Sequence, residues 1–101
     1  MIDLARVEGF DWDAGNHRKN EDRHGVSQAE AEQVFLNEPL LMLPDPRHSA
    51  QDPRFHALGQ TEGGRLLHLT FTLRGDGRLI RVISARDMHR KERAAYHAHA
   101  T

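Results

Sequence analysis

The sequence predicts an α+β fold with two N-terminal helices, an antiparallel sheet of three to four strands and a C-terminal helix. Three observations carry this expectation. A capping box at Ser27 opens an amphipathic helical segment. From Arg54 to Ser84 the apolar period is alternating rather than helical, and two glycine-bearing turns interrupt it. After Asp87 a polar, alanine-containing stretch closes the chain with helical period.

Residues 1–8 read as a loose lead-in. Phe10 and Trp12 alternate with Asp11 and Asp13, as in a short extended segment. Asp13 suits the N-cap of a polar helix over about 14–23, and Gly25 stands where a C-cap glycine would. In Ser27-Gln28-Ala29-Glu30, Ser27 and Glu30 satisfy each other's free backbone amides; Ala31, Val34 and Phe35 then share a helical face that ends at Asn37 and Pro39. Leu40 to Leu43 fits a short strand, and residues 44–53, with Pro44, Pro46 and Pro53, read as a loop. Phe55, Ala57 and Gly59 fall on one face of the next strand, with Arg54, His56 and Gln60 on the other. After a turn at 61–64, Leu67, Leu69, Phe71 and Leu73 oppose His68, Thr70 and Thr72. Gly75-Asp76-Gly77 turns the chain into a strand from Leu79 to Ser84. Ser84 or Asp87 starts the last helix, which runs to about 98 with Met88, Ala95 and Tyr96 on its buried side. The helices are expected to pack on one face of the sheet.

A chain of 101 residues, 38% hydrophobic and 29% charged, suits a single soluble domain over residues 1–101. No segment approaches the roughly 20 apolar residues of a bilayer span, so no membrane partner is expected. The N-terminus lacks a basic start followed by an apolar run, so no secretory signal is expected and cytoplasmic residence fits. The absence of cysteine excludes disulfides and thiolate metal sites.

The net charge of -1 hides an asymmetry: residues 1–53 carry eleven acids against five bases, and residues 54–101 nine bases against four acids. The basic half is arginine-rich, and the planar guanidinium fork suits phosphate oxygens. Either a polyanion binds there or the two halves neutralise each other across the fold. In the first case the acidic half is expected to lie away from the polyanion.

The run from Arg78 to Arg86 is the strongest local signal. Alternation groups Arg81 with Leu79 and Ile83, where an arginine is costly unless paired or open to solvent. It is either an ion-pair partner, with Glu92 as one possibility, or a phosphate ligand. Arg86 lies at a strand-to-helix junction, where it meets a ligand or caps a carbonyl. Arg54, Arg65 and Arg74 stand at strand ends, where exposed arginines are ordinary. Of the eight histidines, His97 and His99 have the wrong spacing to share a metal on a helix, and no convincing ligand cluster appears, so no metal or other cofactor is expected. His24 suits a helix C-terminus. His56 and His68, on the polar faces of two adjacent strands, are either solvated sheet residues or proton carriers. No serine–histidine–acid triad and no phosphate-cradling glycine loop is evident.

Ordered motifs add a resemblance. Phe10-x-Trp12-Asp13, Asn20-x-x-Arg23-His24-Gly25-Val26-Ser27, Asp45-Pro46-x-His48-Ser49, Arg54-Phe55, Gly64-Arg65-Leu66-Leu67 and Phe71 to Asp76 precede Arg81-Val82-Ile83-Ser84-Ala85-Arg86, Glu92-Arg93 and Tyr96. Together they resemble the BrnT family over about residues 10–96. Arg23 stands where the family usually has lysine, Asn16 replaces another common lysine, and Asp52-Pro53 departs from the family's lead to the arginine.

The resemblance implies a toxin of a type II toxin–antitoxin pair with a RelE-like fold, which cleaves RNA without a metal. It further implies silencing by a BrnA-like ribbon-helix-helix antitoxin, possible toxin–antitoxin heterotetramers and inhibited growth. On that basis Arg81 and Arg86 are candidates to stabilise the phosphorane charge, supported by Arg54, Arg65 and Arg74. His56 or His68 is the candidate proton carrier, with Glu92 and Tyr96 as alternatives. A non-catalytic RNA- or protein-binding module is the other reading of the same arginines.

Overall fold

The computed structural model describes residues 3–13, 24–48 and 53–100. Its strands are β1 (Gly9–Phe10), β2 (Leu41–Asp45), β3 (Arg54–Gln60), β4 (Leu66–Arg74) and β5 (Leu79–Asp87). They form a five-stranded sheet in the order β1-β5-β4-β3-β2, larger than the three to four strands expected. The extra strand is β1, two residues that pair parallel to Leu79 and Ile80 of β5. All other pairings are antiparallel.

Local signals placed several elements. The helix α1 (Gln28–Leu36) starts at the expected capping box: Ser27 Oγ accepts the Glu30 N–H, and the Glu30 carboxylate accepts the Ser27 N–H. Asn37 caps its end. In the turn after β4, Gly75, Asp76 and Gly77 all have positive φ, which explains the two glycines there.

Other expectations need correction. The helix expected over 14–23 lies outside the described residues. The loose lead-in is instead a short 3-10 turn at Leu4–Arg6, with Leu4 and Val7 packed on the core and the Glu8 amide donating to the Arg78 carbonyl. β2 runs on through Pro44 to Asp45, so the loop begins later, with a 3-10 turn at Pro46–His48. Proline is tolerated there because β2 is an edge strand. β5 continues to Asp87, and the last helix, α2, spans Arg90–Ala100. Tyr96 is buried there, whereas Ala95 is exposed.

The described helices α1 and α2 cover opposite faces of the sheet rather than one. Ala31 and Val34 of α1 pack with Ala57, Leu67, Leu69, Phe71, Ile80, Val82 and Ala85. The approach is close at Gly59, where a Cβ would sit 2.8 Å from Val34 Cγ1. Leu58 points to the other face, since neighbours in a strand alternate. There it forms a second cluster with Met88 and Tyr96. The Tyr96 hydroxyl donates to the Pro39 carbonyl at 2.7 Å and ties α2 to the chain ahead of β2.

One irregularity in β5 reorders the faces of that strand. Thr70 pairs with Ser84 but Phe71 pairs with Val82, so Ile83 is an extra residue, a β-bulge. The core therefore receives Val82 and Ala85, three residues apart. Arg81 and Arg86, five apart, share the opposite face.

Candidate active site

The face carrying α2 is only partly covered by it. Cross-strand pairing arranges its remaining positions in rows. One row runs Leu41, Leu58, His68, Arg86. The next runs Leu43, His56, Thr70, Ser84, and the third Asp45, Arg54, Thr72, Arg81. Arg74, exposed at the end of β4, extends the same face by one row. The apolar end of the grid lies under α2; at the polar end Asp45 and Thr72 are buried, Arg54 and Arg81 are half-buried and Arg74 is exposed.

Within this grid the side chains form a connected chain. Asp45, 8% exposed, meets His56 Nε2 at 3.0 Å. His56 Nδ1 is 3.1 Å from the Thr70 hydroxyl. The His56 and His68 rings lie 4.9 Å apart at 39°. His68 Nε2 is 3.8 Å from the Glu92 carboxylate, and its buried Nδ1 has no hydrogen-bond partner among the described residues. Glu92 accepts both terminal nitrogens of Arg86 at 2.8 Å. It also accepts the His89 N–H, the return half of a capping box at the start of α2.

These contacts set protonation states. The bidentate Arg86 guanidinium, helped by the His89 amide, holds the Glu92 carboxyl down to about 2. Glu92 is therefore an anion near neutral pH with no proton to donate; of the carrier's two parts, giving and accepting a proton, it keeps only the second. Burial, with the Arg86 charge adding to it, pushes His68 down to about 4, so this ring is neutral there. The Arg86 guanidinium is in turn pushed up by its hydrogen bonds to Glu92.

Both shifts make the fold acid-sensitive. The unfolded chain protonates His68 below its ordinary 6.5, whereas the folded chain resists until about 4. Glu92 contributes stability above its ordinary 4.5 and loses it as pH falls towards about 2. Stability is thus expected to fall with pH in two overlapping stages, each with a slope of at most about 1.4 kcal/mol per pH unit per proton. Urea unfolding of wild type and His68→Gln across this range checks the sign. The variant should lose the upper stage, and an unchanged slope there would contradict the assignment.

The other expected residues separate. Arg81 is not paired with Glu92. It donates to Asp13 at 2.7 Å and lies 3.5 Å from Asp11, and these contacts, Asp13 first, push its guanidinium up. The core takes Ile80 and Val82 rather than the face of Arg81, which is why the arginine keeps 25% of its side chain exposed.

Arg65 does not face the grid. Every guanidinium nitrogen donates, to the Asp87 and Glu30 carboxylates and the His24 and Gly25 carbonyls. It pins the N-terminus of α1 to the sheet, a structural role rather than the expected phosphate contact. Tyr96 is buried beneath α2 with its hydroxyl on Pro39, and burial pushes the phenol up, so it is no alternative proton carrier.

The acidic first half is not set apart either. Asp11, Asp13 and Glu30 lie on Arg81 and Arg65 of the second half, which is the mutual neutralisation that charge alone left open.

Asp45 and Thr70, both in contact with His56, carry no chemical role in the sequence; Asp45 enters there only within a family-like motif. Asp45 precedes Pro46 in a stretch that reads as loop, and its partnership with His56 arises only from the β2–β3 register. Thr70 was placed on the correct face but without a role. Among the described residues no group of three or more His, Asp or Glu side chains is arranged to hold a metal ion, and no helix is long and apolar enough to cross a membrane.

A family model described as the ribonuclease toxin BrnT of type II toxin–antitoxin systems matches residues 12–92. The crystal structure of the Brucella abortus ribonuclease toxin BrnT is similar in fold, with a TM-score of 0.59 at 23% identity. The match covers 81% of this chain and 97% of that one. No curated protein matches the chain.

Proposed function

The chain belongs to the BrnT family of ribonuclease toxins of type II toxin–antitoxin systems, and from this premise we propose that it is a metal-independent endoribonuclease of the cytoplasm. In this reading it cleaves RNA, inhibits translation and growth, and is neutralised by a BrnA-like antitoxin. The observation that carries the reading is the grouping of His56, His68, Arg81 and Arg86 on one face of the sheet, which depends on the bulge at Ile83.

Metal-free cleavage needs a base for the 2′-hydroxyl and cations for the phosphorane. His56, the more exposed of the two histidines at 31% of its side chain against 12%, takes the proton from the attacking oxygen. The 2′-oxygen bonds to phosphorus and the bond to the 5′-oxygen breaks, leaving a cyclic phosphate. The departing oxygen takes its proton from water. Arg81 and Arg86 bind the non-bridging oxygens, Arg54 and Arg74 guide the backbone, and Glu92 orients Arg86.

The purified protein is expected to cut total RNA in excess chelator, with or without ribosomes. Its induction in bacteria should arrest growth until a ribbon-helix-helix antitoxin is co-expressed. RNA left intact under all these conditions would remove the catalytic claim. One observation favours a second reading, a non-catalytic RNA- or protein-binding module: Asp13 and Glu92 already engage Arg81 and Arg86. RNA bound but uncut would select it.

A further inference from the structure

We propose that Asp45 is a positioning residue that fixes the tautomer of His56, so that Nδ1 carries the lone pair which accepts the substrate proton. This inference rests on His56 being the base in the reading above. Asp45 Oδ2 lies 3.0 Å from Nε2, and a carboxylate only accepts, so Nε2 carries the hydrogen. The neutral ring then has its lone pair on Nδ1.

Thr70 Oγ1 lies 3.1 Å from Nδ1 and, as a hydroxyl, donates to it. The lone pair is thereby aimed at Thr70, which follows His56 in the second row of the grid and pairs with Ser84, between the rows of Arg81 and Arg86. A substrate 2′-hydroxyl that displaces or joins the Thr70 hydroxyl meets an acceptor already oriented for it. Asp45 can hold this geometry because it is fixed at the end of β2 and only 8% exposed, which limits competition from water.

The decisive comparison is Asp45→Asn against Asp45→Ala. The asparagine amide can donate to Nε2, which drives the hydrogen to Nδ1 and abolishes the acceptor. Alanine imposes no tautomer. Asp45→Asn is therefore expected to lower kcat on the order of 10²–10⁴-fold with KM changed by less than about threefold. Asp45→Ala should retain more activity than Asp45→Asn. A merely structural aspartate predicts the reverse, because alanine removes more packing.

Nitrogen-15 NMR of labelled histidine, at a pH where the ring is uncharged, should show Nε2–H in the wild type and Nδ1–H in Asp45→Asn. Nδ1–H in the wild type overturns the proposal even if Asp45→Asn fails to fold, and so does Asp45→Ala no more active than Asp45→Asn. Absence of any RNA cleavage by the wild type would instead remove the proposed reaction, while the nitrogen spectrum still decides whether Asp45 sets the tautomer.

Discussion

Replacing Arg86 with alanine is expected to cut RNA cleavage on the order of 10²–10³-fold, most of it in kcat. The guanidinium is held in a fixed plane by two 2.8 Å bonds to Glu92 and a third to the Asp87 carbonyl, so in the proposed reaction its remaining donors would meet the developing phosphorane charge with little reorganisation. Arg86→Lys keeps the charge but loses the fork, and should recover less than about tenfold of the loss. Glu92→Gln leaves Arg86 in place with a weaker partner, so a smaller loss is expected. Full activity in Arg86→Ala would eliminate this arginine from the reaction.

Stability must be followed in the same variants. Truncating Arg86 strands a carboxylate that is 23% exposed and within 3.8 Å of His68. A loss of about 1–3 kcal/mol is expected from the broken charged hydrogen bonds. Much of that should return in Arg86→Ala/Glu92→Ala, where neither charge is left alone, yet cleavage should stay low. Recovery of stability without recovery of activity would separate a role in the reaction from a role in the fold.

What the sequence could show about this site follows from range. The capping box at Ser27 was legible because both partners lie within four residues, and the faces of β3 and β4 because even spacing suffices to group His56 with Arg54 and His68 with Thr70 and Thr72. Arg81 and Arg86 are separated by an odd number, which in a regular strand puts them on opposite faces. The run Ile80-Arg81-Val82-Ile83-Ser84-Ala85 carries no glycine or proline to mark the bulge that brings them together. The partner of Arg81 was equally hidden: Asp13 and Glu92 are both plausible carboxylates, and only the long-range parallel pairing of β1 with β5 brings the N-terminal segment alongside. The placement of α2 escaped for a different reason. Its single buried aromatic, Tyr96, does not make an apolar stripe, and its docking depends on Leu58, a lone apolar residue on the face that alternation gives to Arg54, His56 and Gln60.

Phe71→Ala is expected to cost about 3–5 kcal/mol, the largest effect of any single substitution considered for the fold. Phe71 is fully buried at the centre of β4. Its ring meets Phe35 of α1 edge-on at 5.0 Å and Phe55 of β3 at 5.6 Å, so one side chain joins the helix to two strands. For a domain of this size, where total stability is commonly about 5–15 kcal/mol, that loss would lower Tm by more than about 10 °C. Phe71→Leu retains most of the volume and should cost less than half as much.

The consequence reaches the opposite face. Phe71 pairs with Val82 on the core side of the bulge, directly beside the shift that aligns Arg81 with Arg86. Loosening this pair allows β5 to slip by one residue, and a one-residue slip turns an arginine into the core. Phe71→Leu is therefore expected to remain folded by urea titration while losing more RNA cleavage than its folded fraction accounts for. Activity that follows the folded fraction in every Phe71 variant would show that the bulge is held by β5 itself rather than by the packing behind it.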